Sequence, residues 1–327
     1  MGRGAPVVGI PRALLYHRYH EPWRAFFEAL GARVVVSPPT DRATLDQGSR
    51  RLVADTCLPV KAYMGHVAAL AGRCDHVFVP CVRSVRPGTH NCAKLLGLAD
   101  LVRAAVPEVP ALIDPDIDGA RGARTLHAAA RRAARPLTGN PLRIERALRL
   151  ALRHVCEPLE VGDASEWAGG GGPVVAVVGH AYLLFDDYLS HRLLHILIRL
   201  RASVRTPRHL TVDEKRTGLE GLACAPYWAY EDEILGAGGH FLHSEVDGVV
   251  AVSALGCGPD SLMMEVLRRH ARALGKPFMC LVLDEHTSQG GLLTRLEAFL
   301  DMLQRKRPRR HGGTLRSAPG DLVHMER

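Results

Sequence analysis

The sequence predicts an α/β fold, organised as two α/β domains in tandem that each carry a mostly parallel sheet. Three observations carry this. Short β-branched runs (Val7–Ile10, Arg33–Val36, Val174–Val178) alternate with helix-length amphipathic stretches, the pattern of strand–helix–strand units. A glycine-rich break, Trp167-Ala168-Gly169-Gly170-Gly171-Gly172-Pro173, falls near the middle of the 327 residues, and the pattern restarts after it. The chain is 47% hydrophobic but only 5% aromatic, enough for one large or two medium aliphatic cores.

The elements follow in order. Val7–Pro11 is the first strand, and a helix over 13–30 stops at Gly31. The strand at 33–39 ends on Pro38 and Pro39, which cannot donate to a ladder. Helices are expected over 59–71, 92–105 and 140–154, and strands at 76–80 and 111–114. Beyond the glycine run, 174–178 and 202–207 read as strands flanking a largely helical 180–200. Strands at 248–253 and 277–284 are followed by helices over 259–274 and 291–303. In the last helix, Leu292, Leu293, Leu296, Phe299, Leu300 and Leu303 form a face that docks on a sheet. The chain thus divides into a domain at 1–168, a linker at 169–173, a domain at 174–304 and a disordered basic tail at 305–327. The openings of the halves, VVGIPRALLYHRY and VVAVVGHAYLLFDDYL, align loosely. A weak internal repeat and the general likeness of any two such units explain this equally well.

The net charge is +8, and the tail holds seven Arg or Lys against two acids, so the body is only mildly basic. No nucleic-acid-binding motif accompanies it, which argues against a specific nucleic-acid partner. No apolar run reaches the length of a membrane span, and Met1–Pro6 shows no secretory core. A cytoplasmic protein is expected. In a reducing compartment its eight cysteines serve metal binding, catalysis or burial rather than disulfides.

Three cysteines share one setting. Cys57 stands before a helix with Pro59 near its first position, Cys92 follows Asn91, a candidate N-cap, and Cys257 lies between a strand and a helix opened by Pro259. A helix N-terminus offers unpaired N–H groups and partial positive charge, which favour thiolate and suit cluster sulfides. Lys61 and Lys94 stand in the first turns after two of them and suit an anionic group. Gly256 and Gly258 let the backbone approach a bulky ligand. No short Cys-x-x-Cys knuckle of a zinc ribbon is present. The cysteine pattern alone leaves a shared metal site and separate buried thiols both open.

The remaining candidates are weaker. Cys81 ends a strand and is a candidate fourth ligand or a packing residue, while Cys280 sits inside an apolar strand and reads as core. His180 reads as a loop histidine beside a site, and Thr287 or Ser288 as helix caps or site residues. The aromatic run 226–231 reads as core packing, with a partner surface as the alternative. There is no P-loop, no dinucleotide fingerprint and no nucleophile elbow, so ATP hydrolysis is not expected of this chain.

Six segments carry a resemblance: GIPRALLYHRY, VVVSPPT, DTCLPVKAYMGHV, VPCVRSVRPGTHNCAKLLGLADLVRAAVP, GCGPDS and KPFMCLVLDEHTSQGGLLTRLEAFLD, which together span most of 7–303. They resemble the acyl-CoA dehydratase activase-related proteins, themselves similar to subunits of 2-hydroxyacyl-CoA dehydratases and benzoyl-CoA reductases. The resemblance implies tandem Rossmann-like, doubly wound domains. It also implies a [4Fe–4S] cluster on Cys57, Cys92 and Cys257, fed with low-potential electrons by a separate actin-like ATPase activator. The function implied is an iron–sulfur redox component. The alternatives are a dehydratase or reductase subunit acting on an acyl-CoA, or a non-redox accessory protein; zinc is the alternative metal and a homodimer the candidate oligomer. Relatives tend to carry Arg where this chain has Cys81 and Pro where it has Ala93, which puts a fourth ligand and the helix start after Cys92 in question.

Overall fold

The structure, a computed structural model, describes residues 4–156, 171–225 and 227–306. The N-terminal half runs β1 (Val7–Ile10), α1 (Tyr16–Ala29), β2 (Arg33–Val36), α2 (Arg42–Ser49), α3 (Leu58–Ala68), β3 (His76–Phe78), β4 (Cys81–Ser84), α4 (Ala93–Leu96), α5 (Leu98–Ala105), β5 (Ala111–Ile113), β6 (Asp116–Asp118), α6 (Ala123–Ala134) and α7 (Pro141–Cys156). The C-terminal half runs β7 (Val174–Val178), α8 (Ala181–Leu184), α9 (Leu193–Arg199), β8 (Ser203–Arg205), α10 (Val212–Thr217), α11 (Glu231–His243), β9 (Gly248–Ala254), α12 (Gly258–Ala273), β10 (Phe278–Leu283) and α13 (Gln289–Lys306).

Each half is built on a four-stranded parallel sheet, in the orders β2-β1-β3-β5 and β10-β9-β7-β8, and β4 pairs with β6 in a small parallel ribbon. This is the predicted Rossmann-like α/β architecture. Because a strand turns alternate side chains to opposite faces, both faces must be covered. Val175 and Val177 of β7 join one core, while Ala176 and Val178 join another under α11 and α12. Val8, Ile10 and Phe78 likewise pack under α1, α6 and α7. The remaining faces of both sheets meet in one contiguous core with α3, α5, α9 and α13 between them, from Met64 and Val67 to Leu193 and Leu296.

Several helices are shorter than periodicity predicts, each for a local reason. Leu14 has φ +51°, so α1 starts at Tyr16, and Tyr19 breaks its geometry three residues before Pro22, which cannot donate to the preceding turn. The predicted 92–105 helix divides at Gly97 into α4 and α5. The predicted 180–200 helix is two: α8 ends at Leu184, and α9 starts only after His191 and Arg192, whose left-handed φ values are 51° and 57°. Helices α2, α6, α10 and α11 were missing from the sequence reading. Most of the proposed linker and tail lies outside the described residues. Within the tail, Arg305 and Lys306 complete α13.

Candidate functional site

A crossover helix runs back along a parallel sheet, so it begins at the carboxyl edge of the strands. In the C-terminal sheet, β7 leads outward to β8 while β9 leads outward to β10, so the chain order reverses between β7 and β9. A ligand crevice is expected at the carboxyl ends of two such strands. Gly179-His180 follows β7, and Leu255-Gly256-Cys257 follows β9. Gly179 is required there, since a Cβ would stand 2.8 Å from the Val252 carbonyl oxygen.

The three predicted cysteines each occupy the N-cap of a helix: Cys57 of α3, Cys92 of α4 and Cys257 of α12. They come together. The charge on Cys57 is felt by both Cys92 and Cys257, and the Tyr182 phenol responds to all three. Gly256 locks two of the loops: its φ is +76°, and a Cβ would lie 2.8 Å from the Asp55 carbonyl oxygen and 3.6 Å from Cys57 N. Lys94 Nζ donates to the Gly256 carbonyl at 3.3 Å, and its charge favours the Cys57 thiolate. The segment before Cys92 is strapped to the loop before α11, with His90 N–H donating to Tyr227 O at 3.1 Å and Ala229 N–H to His90 O at 2.8 Å.

The acidities differ from the sequence expectation. All three thiols are pushed up rather than down, first by burial and then, for Cys257, by the neighbouring Asp260 carboxylate. The N–H groups of Val60, Leu95 and Asp260, each three residues on, pull the other way but do not close a full capping bond. Desolvation wins over the helix terminus. Such buried thiols become thiolates when a metal cation takes the place of the protons.

The other predicted residues separate. Lys61 is buried, and its ammonium donates to the Ala54 carbonyl at 2.8 Å and to Glu285 Oε1 at 2.5 Å. Gly258 meets nothing within 4 Å where a Cβ would sit, so no close approach requires it. Asn91 does not cap α4; its Nδ2 donates to Val82 O at 2.6 Å. Cys81 donates to Leu96 O at 3.2 Å, and its charged neighbours are Asp116, Arg83, Asp100 and Asp114, so it packs apart from the three. Cys280 is exposed on the edge strand β10, not in the core, because Leu281 and Leu283 take the buried face. Ser288 accepts from Gly291 N–H at 3.2 Å and Thr287 bonds Asp284, so both serve the α13 start.

The sequence reading missed a second cluster. His180, Glu231 and Asp260 are all buried and present donor atoms within 4.8 Å of one another. Burial lowers the His180 pKa, but the carboxylates of Asp260 and Glu231 overcome it and hold it at about 10. The Tyr182 ring stacks on His180 at 4.7 Å. Asp260 follows Cys257 by three residues, a sequence signal that reads more simply as a helix-dipole acid. His180, Tyr182, Tyr230 and Arg18 line a cavity of about 510 Å³.

Residues 7–210, more than half of the chain, match the family model of the CoA enzyme activase uncharacterised domain. The chain belongs to that family. Residues 242–303 match the model of the 2-hydroxyglutaryl-CoA dehydratase D-component, so this activase-related protein is related to the 2-hydroxyacyl-CoA dehydratases. No curated protein matches the chain. Cys57, Cys92 and His180 lie in the first matched segment, Cys257 and Asp260 in the second, and Glu231 between them. Among the described residues, no helix is long and apolar enough to cross a membrane.

Proposed function

We propose that Cys57, Cys92 and Cys257 hold a [4Fe–4S] cluster and that the chain works as a cytoplasmic redox component. It accepts low-potential electrons from a separate actin-like ATPase activator and passes them to a substrate or partner enzyme. The observation that carries this reading is the convergence of three thiols on three helix N-caps, two from the activase segment and one from the dehydratase segment. The residues fit the group. Three protein sulfurs come from distant segments, backbone N–H groups face them, and Lys94 supplies compensating charge. When bound, the cluster supplies one-electron chemistry. Gly256 keeps the Cys57 and Cys257 loops in register, Lys94 pins Gly256, and Tyr182 shields the thiols. Anaerobic reconstitution with iron and sulfide, followed by EPR of the reduced protein, tests this. Wild type and Cys280→Ser should hold the cluster, and Cys57→Ser, Cys92→Ser and Cys257→Ser should each lose it. A colourless wild type, or three single variants that all keep an unchanged cluster, sinks the proposal.

A second reading, a dehydratase or reductase subunit acting on an acyl-CoA, is favoured by the 510 Å³ cavity that reaches His180 and Tyr182 beside the cysteines. Turnover of an acyl-CoA in the presence of activator and reductant separates a subunit from a carrier.

A further inference from the structure

We infer that His180, Glu231 and Asp260 form a second metal site, for a single divalent first-row cation, beside the three-cysteine centre. The donor geometry fits. His180 Nε2 stands 2.8 Å from Asp260 Oδ1 and 3.7 Å from Glu231 Oε1. Around a cation with bonds of about 2.1 Å, neighbouring donors stand about 3 to 3.5 Å apart, a range that the 2.8 and 3.7 Å separations bracket, so small side-chain shifts bring the donors to it. The second observation is the state of the carboxylates. Asp260 Oδ1 and Glu231 Oε2 are buried and have no hydrogen-bond partner, although Asp260 Oδ1 lies so near the imidazole nitrogen. The His180 imidazolium now balances these carboxylates, so a cation that binds here takes the place of its proton. Left alone, two orphaned buried oxygens are costly, and a cation removes that cost.

The donors are fixed by three separate elements. His180 is the N-cap of α8, Glu231 the first residue of α11 and Asp260 the third of α12, with Tyr182 stacked on the imidazole. His180 also lines the 510 Å³ cavity, which gives an ion and its remaining waters a way in. Two carboxylates and an imidazole select Mn²⁺, Fe²⁺ or Zn²⁺, whereas three thiolates select softer chemistry. A cation held here presents an open coordination position to the cavity, suited to a hydroxyl, carbonyl or carboxylate oxygen of a bound molecule.

The test uses Mn²⁺, which thiolates bind poorly, and the full chain carrying Cys57→Ser and Cys92→Ser, so the fate of the cluster does not enter. Loss of the free Mn²⁺ EPR signal should titrate to one ion per chain. Glu231→Gln, nearly isosteric, and His180→Ala should each weaken binding at least about tenfold, with unchanged circular dichroism. Zn²⁺ should displace the Mn²⁺. No stoichiometric binding, or folded variants that bind as the parent does, overturns the site.

Discussion

Replacing His66 by Gln should flatten the acid dependence of stability. His66 on α3 is fully buried and stands in a chain of hydrogen bonds between the two halves. Arg12 N–H donates to Ser37 Oγ at 2.8 Å, and Ser37 Oγ meets His66 Nδ1 at 2.9 Å. His66 Nε2 meets Thr40 Oγ1 at 2.9 Å, and Thr40 donates to Asp186. Since Thr40 gives its proton to Asp186, Nε2 carries the imidazole hydrogen and Nδ1 accepts from Ser37; the ring is neutral. Burial first, then the Arg12 charge, lower its pKa to about 4. The sign follows from linkage. Below the ordinary value near 6.5 the unfolded chain binds the proton that the folded chain refuses, so stability is full above that value, falls with pH and levels off below about 4. The full loss is about 3 kcal/mol, of which about 2 kcal/mol falls between pH 7 and pH 5. Asp186, raised by burial, contributes with the opposite sign, but it is present in both proteins and largely cancels in their difference. Urea unfolding at both pH values gives the comparison. Wild type should lose about 2 kcal/mol more than His66→Gln. Equal losses would refute the buried neutral imidazole.

Two glycines give sharper mechanical tests. In Gly65→Ala, helix propensity alone predicts a gain of up to about 1 kcal/mol. The new Cβ would lie 1.9 Å from the Thr44 carbonyl oxygen, where α2 crosses α3, so the urea midpoint should instead fall by the equivalent of about 3 kcal/mol. In Gly256→Ala, a left-handed backbone and the Asp55 carbonyl both resist the methyl group; a loss of about 2 kcal/mol is expected, together with lower iron content per chain after reconstitution.

Much of the fold was legible because β-branched runs and prolines act locally. The strands Val7–Ile10, Gly248–Ala254 and Phe278–Leu283 fall where the pattern put them, within a residue or so. The misses come from backbone geometry that periodicity does not carry. Left-handed φ at Leu14, His191 and Arg192 shortens helices whose apolar spacing reads as continuous. The setting of Cys57, Cys92 and Cys257 was legible for the same local reason, a strand end or loop followed by a helix start. Their acidity was not, because burial is a property of the assembled crevice. Glu231 was invisible as a partner of His180. It opens a helix, 51 residues downstream, within an aromatic run that reads as packing, and only the strap from His90 to Tyr227 and Ala229 carries that run toward Cys92.

The C-terminal sheet is divided between the two matched segments. Strands β7 and β8 belong to the activase segment and β9 and β10 to the dehydratase segment, and they are joined by the β7–β9 ladder, Val175↔Gly248 to Val178↔Ala251. The units of ancestry are therefore not units of folding. Neither segment owns the whole C-terminal sheet, and expressing either alone would leave a raw edge of Val, Ala and Gly backbone. Chimeras between relatives will tolerate a junction within 211–241 only if both parents agree along that ladder and at Gly179, where any side chain would strike the partner strand.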